Sequence, residues 1–590
     1  MIANGIKGLG IVLILLFAGA LAGVETPIET EENENNTITL TFEFDKEDFE
    51  IERKNAYVAI DCKKEMNYVV KEGYPMLPYD VKVLKFPVGT VIEDVEIEEI
   101  NTERKEINQK LIPAPPVKAD SFQRIEGEIY MKNKPYPENW ISYHIGVGVE
   151  DNERAIFLVI HAYPYRYNPV KNELEFLKHG KVKITYTLPS KPLFNKDEYD
   201  LLIICPSQWV EQLQPLKEHK EKYGIKTIIV SLDEIYGGKY FATQGRDDAE
   251  KVKYFIKDAI ENWGIEYVLL VGGRKFSKEE WIMPVRYAYS IDKVPPFTEN
   301  GYLSDLYFAD IYDANGNFSS WDTNGNGIYA EYDYNGRYDD VDLYPDVYVG
   351  RLPCRNKLEL KIVVNKIIQY EKGQGEWKRR AILCGGDTDL NDRDDINEGE
   401  YLNEKVAEVL EDYDCIFLWT SLNTLSRKNF WQEMMKGAKF VDLSGHGSPN
   451  SWATHPHNSD EWIGITLFDI FTYFNGEKLP IFFANACHTC QFNLTYECFG
   501  WSFVKKAGGG AIAFIGSTGL SYGFGGYATA ESLSGYLEIE FFRNHNEEFL
   551  GNAFYNAIIS YLNNIPMDDW QDYKTVEEYV LFGLPCLKMN

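Results

Sequence analysis

The sequence predicts a β-rich region followed by a larger α/β region that contains a mainly parallel sheet. In residues 37–188, short stretches alternate apolar and polar side chains, as in TLTFEF at 39–44, and prolines and glycines separate them. From residue 199 onward, apolar runs such as YDLLIIC at 199–205 alternate with helical patterns such as residues 208–222. Alternation of strands and helices is typical of parallel sheets covered by helices on both faces.

The length of the chain predicts several domains. A chain of 590 residues is too long for one hydrophobic core, and 44% hydrophobic residues exclude general disorder. The apolar runs after residue 199 outnumber the strands of one ordinary sheet, and a polar break occurs at 373–376. We therefore expect a β-rich, sandwich-like domain at 37–196 and two α/β subdomains at 197–373 and 374–590.

The first residues are typical of a secretory signal. Lys7 precedes an apolar run at 9–22, which ends with the small residues Ala20 and Ala22 on either side of Leu21. This pattern predicts a cleaved signal at 1–22, a disordered acidic lead-in at 23–36 and a secreted protein with no later transmembrane segment. An uncleaved signal, the alternative, would retain the chain at the cell surface.

The net charge of the chain excludes some classes of binding partner. The chain has 91 acidic and 60 basic residues, and its net charge of −31 would repel phosphate backbones and anionic membranes. We therefore expect no nucleic-acid partner.

The number of cysteines is odd. With nine cysteines, at least one thiol stays unpaired within a monomer, as a reactive cysteine would require.

Two apolar strands each lead into a reactive side chain. The run AKFVDLSGHG at 438–447 contains His446, and the run PIFFANAC at 480–487 ends in Cys487. Parallel strands place their carboxyl ends at one edge of a sheet, where α/β proteins bind ligands. An imidazole activates a thiol by taking its proton, so the pair predicts a cysteine nucleophile with a histidine base. Taken singly, each residue is better explained as a packed histidine or an inert thiol.

The residues around this pair resemble the gingipain family of cysteine peptidases. The resemblance rests on Gly-His-Gly-Ser at 445–448 with Trp452, and on Ala-Cys at 486–487 with Phe492. It extends to VGRLP at 349–353 and LFGLP at 581–585, and so covers most of the chain from about residue 197. The chain departs from the family pattern at Cys490, where a glycine is usual, and at Leu584, where an aspartate is usual.

The resemblance implies a caspase-like fold and the activity of a cysteine endopeptidase. The runs GYPMLP at 73–78 and YRYNP at 165–169 are similar to the prodomain of the family. The resemblance therefore implies a zymogen whose N-terminal domain covers the active site until the linker is cut, for instance after Lys196. An ordinary β-sandwich binding module is the alternative for this domain.

The resemblance also suggests further site residues. Asp387 lies where the family places the acidic partner of the histidine, and Asp442 is the alternative on the histidine strand itself. Glu400 falls at the place of an acidic specificity residue, which implies cleavage after Arg or Lys. Tyr522 would form an aromatic side of the same pocket. Each carboxylate also has a simpler explanation, namely a structural hydrogen bond or a favourable position at a helix start.

The predicted reaction needs no catalytic cofactor. Cys487 would attack a peptide carbonyl in a protein or peptide substrate, while His446 removes the thiol proton and then protonates the leaving amine. The main-chain N–H groups of Gly447 and Cys487 would stabilise the oxyanion, because Gly445 and Gly447 allow close approach of the backbone.

A separate acidic loop predicts a structural calcium ion. The run DTNGNGIYAEYD at 322–333 has oxygen-bearing groups at the spacing of a calcium-binding loop and glycine at its sixth position. It differs from the EF-hand in ending with Asp and in having no flanking helical pattern. A solvated Asn/Gly turn is the alternative. The expected ligands are Asp322, Asn324, Asn326, Ile328 and Asp333.

Other functions fit parts of the sequence. Cys487 and Cys490 match a C-x-x-C redox motif, and with His446, His455 and His457 they could also form a zinc site. An exported binding or surface protein with an inactive protease-like scaffold is the main alternative to an active enzyme. Substoichiometric alkylation would separate the two, because an activated thiolate at Cys487 reacts first.

Overall fold

The computed structural model describes residues 16–17, 36–64, 66–117, 124–150, 153–189, 197–276, 280–292, 299, 301–389 and 395–589. Most of the predicted signal at 1–22 and lead-in at 23–36 therefore lies outside the described residues, as does most of the linker that the sequence predicts at 189–197. Within the described part of the signal, Leu16–Phe17 forms a short strand that pairs antiparallel with residues 83–84.

The N-terminal region is built from two antiparallel sheets. One sheet contains Leu16–Phe17, Asn67–Tyr68, Pro78–Pro87, Ile141–Glu150 and Glu153–Ala162, and the other contains Thr37–Glu43, Val91–Glu106, Tyr165–Asn168 and Glu173–Thr187. A separate hairpin joins Phe49–Lys54 to Tyr57–Cys62. Alternate side chains of both sheets enter one core, where Leu40 and Val182 of one sheet share a cluster with Val83 and Val159 of the other. The region is therefore a β-sandwich-like unit, as the alternating sequence pattern predicts.

The remainder of the chain surrounds one ten-stranded sheet. Its strands, in chain order, are β1 (Leu201–Cys205), β2 (Thr227–Ser231), β3 (Tyr267–Val271), β4 (Tyr348–Leu352), β5 (Arg380–Gly385), β6 (Asp414–Trp419), β7 (Phe440–Ser444), β8 (Ile481–Asn485), β9 (Ala513–Ser517) and β10 (Tyr579–Phe582). Their order across the sheet is β2-β1-β3-β4-β10-β9-β8-β7-β5-β6. Because neighbouring strands are parallel except β9 and β10, two five-stranded parallel sets run in opposite directions and meet at that pair.

Helices connect the strands and cover the sheet. They are α1 (Val210–Lys222), α2 (Leu232–Tyr236), α3 (Asp248–Trp263), α4 (Lys357–Lys372), α5 (Glu398–Val409), α6 (Arg427–Lys436), α7 (Leu467–Ile470), α8 (Phe499–Val504), α9 (Leu533–Arg543), α10 (Leu550–Asn564) and α11 (Trp570–Glu578). Local sequence sets their ends: the Asp247 carboxylate accepts a hydrogen bond at the start of α3, and Gly264, with φ of +79°, ends it. The mostly parallel sheet and the preceding β-rich region confirm the predicted fold class.

The N-terminal region packs directly on the α/β region. Tyr79 donates its hydroxyl to the carbonyl of Asn564 at 2.7 Å, and Arg154 donates to the carbonyl of Ile265 at 2.7 Å. At Gly146 the contact is so close that an added Cβ would lie 2.0 Å from the ring of Tyr344. Among the described residues, no helix is long and apolar enough to cross a membrane.

Candidate active site

Strands β7 and β8 bring the two predicted catalytic residues to one edge of the sheet. The strands pair in register from Phe440 with Ile481 to Ser444 with Asn485. The pairing continues one residue further, because the N–H of Gly445 donates to the carbonyl of Asn485 at 3.1 Å. His446 and Cys487 follow directly, and both line one cavity of about 470 Å³.

Gly447 packs against the main chain of the predicted nucleophile. A Cβ at position 447 would lie 2.2 Å from the carbonyl oxygen of Cys487 and 2.9 Å from its nitrogen. Glycine alone fits this approach. The N–H groups of Gly447 and Cys487 therefore lie in adjacent segments at the cavity, and their role toward an oxyanion remains a prediction.

His446 is held by a main-chain carbonyl and two aromatic rings. Its Nε2 lies 2.8 Å from the carbonyl oxygen of Thr388. Its ring centroid is 5.1 Å from that of Trp462 and 6.3 Å from that of His455. Surrounding protein atoms lower the pKa of His446 below its usual value by disfavouring the charged form. Because a carbonyl only accepts, a neutral His446 carries its proton on Nε2 and keeps Nδ1 as an acceptor.

The surroundings of Cys487 favour the protonated thiol. Its Sγ donates to the carbonyl of Ser521 at 3.3 Å. Burial raises the pKa of the thiol to about 11, and the carboxylate of Glu578 adds to the rise. A nearby base is therefore needed to form the thiolate at neutral pH.

Asp387 contacts a different histidine from the one expected. Its carboxylate accepts from His457 Nδ1 at 2.7 Å, whereas the hydrogen bond of His446 goes to the carbonyl of the next residue, Thr388. Asp387 still fixes this part of the site, since its main chain pairs with that of His455. Asp442, the alternative acidic partner, is buried within β7. Its carboxylate accepts a hydrogen bond from the Asn403 side chain at 2.8 Å.

The two glutamates at the start of α5 face different surroundings. Glu400 accepts from Thr420 Oγ1 at 2.8 Å and from the Ser421 N–H at 2.9 Å, outside the cavity. Glu398 lines the cavity instead, where it accepts from the Gly526 N–H at 2.9 Å. Burial raises the pKa of Glu398. Tyr522 also lines the cavity.

The predicted calcium loop is compact and strongly hydrogen-bonded. Both carboxylate oxygens of Asp322 accept main-chain N–H groups of the loop, and Arg246 forms an ion pair with it at 2.5 Å. The side-chain amides of Asn324 and Asn326 both face the buried carboxylate of Glu331. Glu331 was not among the expected ligands, although it is the tenth residue of the same run. Asp333 has a left-handed backbone, with φ of +49°.

The thiols and histidines do not form a metal centre in the described ranges. There, no group of three or more His, Cys, Asp or Glu side chains is arranged to hold a metal ion. All nine cysteines lie within these ranges, and each is a free thiol. The zinc interpretation of the C-x-x-C motif therefore has no geometric support.

Several residues at the cavity carried no recognisable sequence signal. Thr388 orients His446 through its carbonyl oxygen, which any residue type could supply, and its hydroxyl donates to Glu398 at 3.0 Å. Val117 comes from the N-terminal region and lines the cavity with His446 and Cys487. Glu398 could have been found from its place near Glu400, but only the direction of the helix decides which of the two faces the cavity.

Comparison with known protein families gives two matches. Peptidase family C25 matches residues 194–590, which is more than half of the chain. The family Propeptide_C25 matches residues 28–201. These matches confirm the resemblance derived from the residues around His446 and Cys487.

Individual relatives are distant. Gingipain R2 of Porphyromonas gingivalis is 22% identical over 407 residues, covering 67% of this chain and 46% of that protein. Lys-gingipain of the same species is 24% identical over 195 residues, covering 31% of this chain and 10% of that protein. The chain thus spans less than half of these curated relatives.

Solved structures also align with part of the chain. The Arg-specific cysteine proteinase gingipain R aligns with a TM-score of 0.48 and 19% identity, covering 68% of this chain and 80% of that one. The complex of the pro- and mature domains of RgpB from Porphyromonas gingivalis aligns with a TM-score of 0.46 and 19% identity, covering 66% and 79%.

Proposed function

Because the chain belongs to peptidase family C25, we propose that it is a cysteine endopeptidase with Cys487 as nucleophile and His446 as base. The observation that carries this proposal is the shared cavity: two adjacent parallel strands deliver both side chains to one edge of the sheet. The lowered pKa of His446 supports it too, since a neutral imidazole that donates from Nε2 to Thr388 can accept the thiol proton at Nδ1.

The reaction follows from these two groups. Proton transfer from Cys487 to His446 breaks the hydrogen bond of the thiol to Ser521 and produces the thiolate. The thiolate attacks the peptide carbonyl carbon, the N–H groups of Gly447 and Cys487 stabilise the oxyanion, and His446 protonates the leaving amine. Water then hydrolyses the thioester. Asp387 acts indirectly in this scheme, because it anchors the segment whose Thr388 carbonyl orients His446.

Cleavage after Arg or Lys is the substrate preference that we propose. The carboxylate of Glu398 at the cavity supports it, since a buried carboxylate binds guanidinium or ammonium groups through charge-assisted hydrogen bonds. Glu400 would then support the α5 start rather than contact substrate, because it lies outside the cavity, where Thr420 and Ser421 donate to its carboxylate.

We propose that the N-terminal region is an inhibitory prodomain in an exported zymogen. Val117 lines the cavity, and Val70 and Val117 pack against Phe524 beside it. A segment in this position would block substrate until the 189–197 linker is cut. Export follows from the signal pattern at 1–22.

A structural calcium ion at 322–333 completes the proposal. Asp322, Asn324, Asn326, the Ile328 carbonyl and Glu331 supply the hard oxygen donors that calcium prefers. The buried Glu331 Oε1 has no hydrogen-bond partner among the described residues, as expected for a donor reserved for a cation. The ion would add stability and take no part in the chemistry.

The test is hydrolysis of fluorogenic Arg, Lys, Asp and Leu peptides under reducing conditions, before and after cutting the linker. We expect activity after cutting, on the Arg or Lys peptides, and none in Cys487→Ala. Activity that survives in Cys487→Ala would overturn the assignment of the nucleophile. Preference for the Asp or Leu peptide would overturn the specificity. A folded, cut and calcium-loaded sample that cleaves nothing would favour a binding protein with an inactive scaffold.

A further inference from the structure

The segment of residues 520–522 forms the side of the cavity that contacts the predicted nucleophile. All three residues line the cavity with Cys487. The Ser521 carbonyl accepts the hydrogen bond of the thiol at 3.3 Å. The carbonyl of the preceding residue, Gly519, accepts the N–H of His488 at 2.8 Å. The position of this segment therefore sets the surroundings of the reacting sulfur.

Two carboxylates fix this segment from outside the sheet. Glu299 Oε2 accepts the N–H of Leu520 at 2.6 Å, and Asp292 Oδ2 accepts the hydroxyl of Tyr522 at 2.7 Å. Gly519 permits this contact, because a Cβ there would lie 2.4 Å from Glu299 Oε2 and 2.8 Å from Glu578 Oε2.

One buried lysine compensates these charges. The side chain of Lys574 on α11 is 1% exposed, and its Nζ lies 3.1 Å from Glu299, 3.8 Å from Asp292 and 4.0 Å from Glu578. Burial raises the pKa of Glu578 well above its usual value, so Lys574 pairs mainly with Glu299 and Asp292. Lys574 favours the thiolate form of Cys487, whereas Glu299 and Glu578 oppose it.

We propose that Asp292, Glu299 and Lys574 are positioning residues for Cys487, acting through the main chain of 520–522 and the ring of Tyr522. The proposal rests on the proposed function, since it assumes that Cys487 is the reacting group. An unpaired buried charge is strongly destabilising, and buried charged groups this close to a nucleophile are typical of functional sites. Here the charged groups fix the Ser521 carbonyl, which accepts a hydrogen bond from the Cys487 thiol. That hydrogen bond is lost when the thiol ionises.

The test measures the alkylation of Cys487 by iodoacetamide against pH in the full chain, followed by mass spectrometry of the peptide that contains Cys487. We expect Lys574→Met to move the midpoint to higher pH and Glu299→Gln to move it to lower pH, each by roughly half a unit or more. The matched control is Glu218→Gln, at an exposed position on α1, which should leave the midpoint unchanged. Midpoints equal to wild type in both variants would overturn the proposal.

A second variant keeps the proposal testable if Lys574→Met fails to fold. Tyr522→Phe removes only the hydroxyl that Asp292 accepts, so we expect a folded protein whose melting temperature falls by only a few degrees and whose kcat/KM on the preferred peptide falls about tenfold. Tyr223→Phe, at an exposed tyrosine, is its control. Unchanged kcat/KM in Tyr522→Phe would count against the role of Asp292. If wild type cleaves no peptide while the alkylation midpoints still shift, the positioning role stands and the proposed peptidase activity fails.

Discussion

At the scale of single residues, the Thr388 carbonyl orients the imidazole of His446, whereas the Asp387 carboxylate binds His457. His446 and Cys487 could be found because each follows an apolar strand whose end is readable from the chain. The contact of Asp387 with His457 could not be found, since it depends on an isolated antiparallel bridge between residues 387 and 455. No local pattern marks a bridge between such distant segments.

Gly447 gives the sharpest test at this scale. Gly447→Ala would place a Cβ 2.2 Å from the Cys487 carbonyl oxygen, so one of the two segments must move by about 1 Å. Since a displacement of that size in a catalytic group can cost roughly 100-fold, we expect kcat/KM to fall by about that factor. Gly373→Ala is the control, because its nearest atoms would lie at 3.3 Å and 3.4 Å. Equal activity of the two variants would show that the close approach is dispensable.

At the scale of elements, periodicity predicted the strands and helices but not the direction of every strand. The runs at 199–205, 267–271 and 480–485 contain the strands Leu201–Cys205, Tyr267–Val271 and Ile481–Asn485, as expected. The antiparallel meeting of β9 and β10 was not foreseen, because a short apolar run reads the same in either direction. Its direction depends on α10 and α11, which return the chain to the middle of the sheet.

The prediction at this scale concerns calcium binding by the 322–333 loop. Calcium that binds only the folded chain stabilises it, so chelation should lower the melting temperature by about 5 °C. Glu331→Gln should reduce that difference, whereas the exposed Glu218→Gln should preserve it. The measurement is a thermal scan with calcium and with chelator. A melting temperature that chelation leaves unchanged in wild type would exclude the ion.

At the scale of the whole molecule, the two regions meet near two histidines, the half-buried His144 and the buried His161. His144 Nε2 lies 3.2 Å from the hydroxyl of Tyr344, and its ring stacks on that of His161. Burial lowers the pKa of His144 to about 4 and that of His161 to about 3. Composition could predict that two regions exist, but it could not predict which side chains meet where the regions contact each other.

This contact predicts a dependence on pH. Both folded pKa values lie below the usual value, so the unfolded chain binds more protons as pH falls below about 6.5. The stability that the neutral rings provide is therefore present above that pH and is lost as pH falls toward 4. Buried carboxylates such as Asp342, whose pKa burial raises, act in the opposite sense.

Comparison of variants separates the two effects. Between pH 7 and pH 5, the melting temperature of wild type should fall further than that of His161→Phe, because the carboxylates are common to both. Identical changes in the two proteins would show that the histidines do not couple the interface to pH.

The central claim is that Cys487 is the nucleophile and His446 its base. The most direct measurement is covalent labelling of the linker-cut protein with an arginyl acyloxymethyl ketone, followed by peptide mapping. We predict a single adduct on Cys487, with much slower labelling in His446→Ala. An adduct on another cysteine, or an unchanged rate in His446→Ala, would contradict the account.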